Sequence, residues 1–348
     1  MSKRITAVLA IILAIVLGIL GSFYLQQGQK ESQNQKSHQT DSLKKAKKSP
    51  KELVTPRNKS AEEKQAVMEA DSERMNSLGL YYDYANMSLN DTINAFLAEQ
   101  GIDQSQVAFS YKNTRTNETF SMNDAELMTA GSTYKLPLNM LVVDGVAEGK
   151  FNYEQKVDIT NLDFEYEGEH DAYVNNYGGS MTIPQMQYGS LVVSENTPAY
   201  GLASLLGGME NAYSQYIRYG KSKNPDVPAF QYEGNKTTSS YYIQVLDYLF
   251  KHQDKYKDLL EYIGESFPDE YYKTYLPDDL TIYQKPGYVR EALNVDAIVM
   301  EDSPYLISIY TRYLGGSTES SSEINGTGYN QLAMLTYVIN EWHRVNMN

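Results

Sequence analysis

The chain has 348 residues, room for one large domain plus accessory sequence, and its 41% hydrophobic content is enough for a buried core. Residues 1–75 hold 13 basic against 8 acidic side chains, a net +5, while residues 76–348 hold 17 against 36, a net −19; the acidic remainder, without a basic aromatic stripe, argues against a nucleic-acid partner. There is no cysteine, which excludes disulfides and a lipid-modified cysteine anchor.

Ile5 to Leu25 is an almost uninterrupted apolar run, close to the ~20 residues that a helix needs to cross a bilayer. Lys3 and Arg4 precede it, which places residues 1–4 in the cytoplasm, 5–25 in the membrane and the rest outside the cell. Gly21-Ser22 offers small residues to a signal peptidase, but Ile19 stands where another small side chain would be wanted, so a retained single-pass anchor is expected. Residues 26–75 are rich in Gln, Ser, Lys, Glu and Asn and read as a disordered basic linker. Its lysines suit anionic wall polymers and lipid head groups, or a plain solvated spacer.

Residues 76–348 are the predicted folded domain. Ser88 ahead of Leu89, Ile93, Phe96 and Leu97 predicts a capped amphipathic helix. Val107 to Tyr111 and Glu118 to Phe120, with a polar connection, predict a hairpin. Lys135 to Ala147 suits a buried helix, and Thr182-Ile183-Pro184 opens another that runs to Val193. Helical patterns follow at Ala199 to Leu206, Met209 to Tyr219, Ser239 to Lys251 and Asp254 to Ile263. Three strands come next, at Leu280 to Gln284, Val295 to Met300 and Tyr305 to Tyr310, before a last helix from Asn330 to Arg344. Two early strands, a block of helices, three late strands and a terminal helix predict an α/β sandwich whose first and last segments share one sheet.

Three short motifs sit at the ends of these elements. In Ser132-Thr133-Tyr134-Lys135 a lysine three residues after a serine lies on the same helix face, within reach of the hydroxyl as its base. Gly131 permits a tight entry, and a helix N-terminus favours negative charge on the serine oxygen. Desolvation and a second cation would lower the Lys135 pKa, and Lys285 is the candidate cation. Ser194-Glu195-Asn196 adds a hydroxyl and a carboxamide, and Lys285-Pro286-Gly287 a cationic strand end. Each motif alone is weak: Ser42-Leu43-Lys44-Lys45 repeats the serine–lysine spacing inside the linker, and the other two fit ordinary turns. Order and context set them apart, because Ser132 opens an apolar helix, Ser194 ends one and Lys285 ends the first late strand.

Together the motifs resemble the active site of the penicillin-recognising serine enzymes, in their class A β-lactamase-like branch, over roughly residues 88–345. Thr182-Ile183-Pro184-Gln185-Met186 through Asn196-Thr197 to Leu205-Leu206-Gly207-Gly208 resembles that family's all-helical segment. The resemblance implies a β-lactamase/transpeptidase-like α/β sandwich, an antiparallel sheet from the N- and C-terminal segments plus an all-helical subdomain. It implies that Ser132 is the nucleophile, Lys135 its base, and Ser194 a proton relay assisted by Lys285. Asn196 would orient the substrate amide, and the Ser132 and Tyr288 N–H groups, with Gly287 beside them, would bind the oxyanion. No cofactor is implied, and the histidines lack metal-ligand spacing.

Two departures bear on substrate. Class A β-lactamases carry a glutamate, with a leucine and an asparagine behind it, ahead of a Thr-Thr pair, where it activates the deacylating water. Here the pair is Thr237-Thr238, but Asn224 to Lys236 holds no such motif, and its only acids are Asp226 and Glu233. Pro286 replaces the family's threonine or serine and removes a hydroxyl that would bind a substrate carboxylate; Arg290 is the candidate replacement anchor. The expectation is a membrane-anchored, extracytoplasmic serine acyl hydrolase or transferase. Its partners would be cell-wall peptide or ester substrates, and β-lactams would acylate it but turn over poorly. The alternative is a catalytically idle penicillin-binding-like domain that holds wall peptide or a partner protein.

Overall fold

The computed structural model describes residues 59–347. The predicted cytoplasmic residues 1–4, the span 5–25 and the linker as far as residue 58 lie outside the described residues. Among those described, no helix is long and apolar enough to cross a membrane.

The end of the predicted linker is corrected, since Ala61–Leu78 forms an 18-residue helix, α1. A capping box starts it: the Glu63 N–H donates to Ser60 Oγ at 3.2 Å and the Ser60 N–H to Glu63 Oε2 at 2.7 Å. Its buried stripe is only Met68 and Met75, which is why the composition reads as polar linker. Arg344 holds the helix down, donating through Nη2 to Asp71 Oδ2 at 2.8 Å and through Nε at 3.0 Å.

Helix α2 (Leu89–Glu99), capped by Ser88, precedes strands β1 (Val107–Asn113) and β2 (Thr119–Met122). Strand β3 (Met128–Thr129) and a 3-10 turn at Gly131–Tyr134 deliver the chain to α3 (Lys135–Ala147), buried from Lys135 to Gly145. The helical region holds β4 (Lys156–Asp158), α4 (Glu167–Tyr177), β5 (Ser180–Thr182), α5 (Ile183–Leu191), α6 (Asn196–Leu205) and α7 (Met209–Gln215). After β6 (Phe230–Gln231) and β7 (Lys236–Thr237) come α8 (Ser239–Lys251) and α9 (Lys257–Glu265). Strands β8 (Ile282–Val289), β9 (Ala292–Val299) and β10 (Tyr305–Thr311) and helix α10 (Gly326–Asn346) complete the domain.

The main sheet is antiparallel with strand order β2-β1-β10-β9-β8, so early β1 pairs with late β10 from Val107↔Thr311 to Asn113↔Tyr305. Alternation along β1 gives each sheet face its own core: Val107, Phe109 and Tyr111 pack with α2 and α10, and Ala108 belongs to the core shared with α3 and α8. The predicted strand Leu280–Gln284 is corrected in extent, because β8 continues to Val289 and carries Lys285-Pro286-Gly287 in its second half rather than past its end. Pro286 is tolerated there because β8 is an edge strand with no ladder on its outer side. The turn falls instead at Arg290-Glu291, where Arg290 takes φ +27°.

Candidate active site

The turn that carries Ser132 is set by two glycines at a close crossing. Gly131 takes φ +56°, and a Cβ on it would stand 2.8 Å from the Tyr288 backbone nitrogen. A Cβ on Gly287 would stand 2.4 Å from the Ala130 carbonyl oxygen. Strand β8 therefore lies against the Ser132 turn only because both residues lack side chains.

Lys135 is fully buried, with Nζ 3.0 Å from Ser132 Oγ, 2.5 Å from the Ser194 carbonyl and 2.7 Å from Asn196 Oδ1. Burial pulls its ammonium down to about 8, against the upward pull of Glu169, Glu165 and Glu195. A neutral amine has two protons and one lone pair. As the ammonium, Lys135 donates to all three oxygens; once it gives up a proton, the two carbonyl-type oxygens can keep the remaining N–H groups and the lone pair is free for the Ser132 hydroxyl.

Ser194 sits between α5 and α6 with φ +62°, a left-handed conformation that serine rarely takes. Lys285 Nζ donates to Ser194 Oγ at 2.8 Å and to the Pro286 carbonyl at 3.0 Å. It is also fully buried, and burial and the neighbouring Lys135 pull its ammonium well below the usual lysine range.

Carboxylates surround Asn196. Its Nδ2 donates to Glu165 Oε2 at 3.1 Å, and Glu169 Oε1 accepts from the backbone N–H groups of Asn196 at 2.9 Å and Thr197 at 2.5 Å, which caps α6. Glu195 makes no side-chain cap although it stands at the capping position. Burial and the Glu169 carboxylate against it push the Glu195 carboxyl up to about 7.

These groups enclose a cleft of about 570 Å³ lined by Ser132, Ser194, Asn196, Tyr288 and Arg290, with Lys135 and Lys285 buried beneath and Gly287 behind. Pro286 is on the lining, as are Phe267, Tyr271 and four carboxylates that sequence reading did not assign to a site: Glu165, Glu169, Glu195 and Glu323. Tyr288 Oη donates to Glu323. Asp226 and Glu233 are outside the lining; from residues 221–236 only Asn235 reaches the cleft, donating to the Gly131 carbonyl at 3.0 Å. Glu169 lies in the first turn of α4 and Glu165 just ahead of that helix, and their four-residue spacing was the available signal. Among the described residues no cluster of acids and histidines could hold a metal ion.

No curated protein matches the chain. Solved structures do: a β-lactamase from Xanthomonas campestris pv. campestris is 19% identical, with 74% of this chain and 98% of that one aligned at a TM-score of 0.58. An ancestral class A β-lactamase is 17% identical over 73% of this chain and 99% of that one, at 0.59. A variant of the Gram-negative ancestor, bound to the transition-state analogue 5(6)-nitrobenzotriazole, is 18% identical over 73% and 97%, at 0.58. Such likeness shows the class A β-lactamase fold. A profile of the Beta-lactamase enzyme family matches residues 88–328, and with that match covering most of the described domain and the serine–lysine site within it, the chain belongs to the Beta-lactamase enzyme family.

Proposed function

We propose that this protein is a serine acyl hydrolase or acyl transferase, held at the outer face of the cell membrane by residues 5–25. Its substrates are peptide or ester linkages of the cell wall, and it releases β-lactam acyl groups slowly. The observation that carries acyl transfer is the buried Lys135 Nζ, 3.0 Å from Ser132 Oγ and held in place by the Ser194 carbonyl and Asn196 Oδ1.

Ser132 Oγ attacks the acyl carbonyl as its proton passes to Lys135. The oxyanion is received by the Ser132 and Tyr288 N–H groups, on the wall where Gly131 meets the Gly287–Tyr288 peptide. Collapse of the tetrahedral intermediate breaks the bond to the leaving group, which takes the Ser194 proton while Lys285 resupplies it. The Asn196 carboxamide orients the acyl chain once Glu165 gives it up. Water or an acceptor hydroxyl or amine then attacks the acyl carbon, giving its proton through Ser194 back to Lys285, and the ester bond breaks as Lys135 returns its proton to Ser132 Oγ.

Slow β-lactam release is supported by the absence of any carboxylate from residues 221–236 on the cleft lining. A neutral or ester-like substrate is supported by Pro286, which offers no hydroxyl, and by four carboxylates facing the cleft against one exposed cation, Arg290. Treatment with a fluorophosphonate and a fluorescent penicillin tests the reading. Covalent label on the wild type and none on Ser132→Ala supports it; no label from either probe leaves the catalytically idle binding domain as the better description.

A further inference from the structure

Directly beneath the cleft lies a buried acid that the mechanism above does not use. Asp296 on β9 is fully buried, opposite Lys285 in the β8–β9 ladder and opposite Ser308 in the β9–β10 ladder. Among the described residues no ion pair includes it, because Lys285 spends its amine on Ser194 and the Pro286 carbonyl. Asp296 Oδ1 and Ser308 Oγ are both without a hydrogen bond. From Oδ2 a line of oxygens runs to the nucleophile's turn: Tyr310 Oη at 3.1 Å, then Thr133 Oγ1 at 2.9 Å, then the Ala130 carbonyl at 3.1 Å.

Counting protons fixes the direction of that line. Three contacts need three protons; Tyr310 and Thr133 bring one each, and a carbonyl brings none. With Tyr310 donating to Asp296 Oδ2 and Thr133 to the Ala130 carbonyl, the 2.9 Å contact between the two hydroxyls is left without a proton, and a proton on the Asp296 carboxyl supplies the missing one. We infer that Asp296 is a positioning residue whose neutral carboxyl donates to Tyr310, which donates to Thr133, which donates to the Ala130 carbonyl, and that this chain fixes the turn presenting Ser132. The inference rests on the reading of Ser132 as the nucleophile.

The environment favours the neutral acid. Burial pushes the carboxyl well above the usual range, outweighing the opposing pulls of Ser308, Tyr310 and Lys285. Facing it are Lys285 from β8, Ser308 and Tyr310 from β10 and Tyr242 from α8, with Lys135 beyond Lys285. The geometry at the far end explains why the chain matters: the Ala130 carbonyl is the atom against which Gly287 packs, and Asn294 Nδ2 also donates to it at 3.1 Å. Loss of the Asp296 proton reverses the chain, since Tyr310 must turn to the carboxylate and Thr133 to Tyr310. The Ala130 carbonyl then loses its hydroxyl donor beside the oxyanion wall.

The test compares fluorophosphonate acylation of the wild type, Asp296→Asn and Tyr310→Phe from pH 6 to the alkaline limit of the fold, with infrared difference spectra of wild type minus Asp296→Asn. Asparagine keeps an N–H donor and cannot ionise. The expected result is a carboxylic-acid C=O band in the difference spectrum at neutral pH. Asp296→Asn should acylate near the wild-type rate and keep its rate at the alkaline end, where the wild type declines. Tyr310→Phe should acylate about tenfold more slowly, the loss expected for one broken buried hydrogen bond, with unchanged probe affinity. A missing acid band overturns the inference, and so do three superimposable pH profiles. If the wild type takes no label, the nucleophile reading has failed instead, and the infrared band alone then decides whether Asp296 carries the proton.

Discussion

Lys135 must be without a proton before it can take one from Ser132, and its burial sets the pH at which that holds. Its folded-state value of about 8 lies below the usual lysine range, so the base form grows as pH rises through 8. Acylation of Ser132 by a neutral fluorophosphonate is therefore expected to climb between pH 6 and 8 and reach its maximum near about 9, ahead of the alkaline decline expected from loss of the Asp296 proton. A flat profile over that range would remove Lys135 from the base role. Lys135→Ala should lower the rate ~10² to 10⁴-fold, the usual worth of a positioned base. Pro286 sets the second residue-level expectation. Pro286→Thr restores a hydroxyl worth ~1.5 to 3 kcal/mol toward a carboxylate, so the acylation efficiency of penicillins relative to neutral esters should rise roughly ten- to a hundredfold. An unchanged ratio would mean that Arg290 already anchors the carboxylate.

Among the elements, the α5–α6 connection and helix α1 each carry a stability expectation. Glu195 has a folded-state value of about 7 against 4.5 for an ordinary glutamate carboxyl. Between those values the folded protein holds a proton that the unfolded chain releases, so stability is lost as pH rises from 4.5 and the loss is complete above 7. Glu195→Gln removes this loss, and its Tm advantage over wild type should grow from pH 5 to pH 8; equal differences at both would contradict the Glu195–Glu169 proton sharing. For α1, Met75 is fully buried, and Met75→Ala should cost about 2–5 kcal/mol in denaturant unfolding. A loss below about 0.5 kcal/mol, the size of a surface change, would mean that α1 does not belong to the folded domain.

How far these elements were legible depends on what marks each one. The hairpin, α2 and α8 were readable from apolar periodicity, α2 also from its Ser88 cap, and α3 from its continuous apolar run. Helix α1 was not, because two methionines a heptad apart give almost no apolar stripe; the Ser60–Glu63 capping box was the overlooked mark. The end of β8 was misread because Pro286 and Gly287 are turn residues nearly everywhere except on an edge strand that must press against another backbone. Ser132, Lys135, Ser194 and Lys285 were legible from order along the chain. Glu165 and Glu323 come from loops and Glu169 from the first turn of α4, and only the tertiary fold determines their approach to the cleft.

At the scale of the whole molecule, one sheet built from both ends of the domain holds β8 beside the Ser132 turn, while α5 and α6 bring Ser194 and Asn196 to the other side. Each lysine is thereby buried between two elements, and the Ser132 and Ser194 hydroxyls converge with the two lysine amines on one cleft with no carboxylate from residues 221–236. That arrangement is expected to acylate readily and deacylate slowly. Intact-protein mass spectrometry after mixing with a penicillin tests the claim most directly. The expected result is one added acyl mass on the wild type, mapped to Ser132 and persisting for minutes, and none on Ser132→Ala. An equal adduct on Ser132→Ala, or rapid multiple turnover without any trapped adduct, would contradict it.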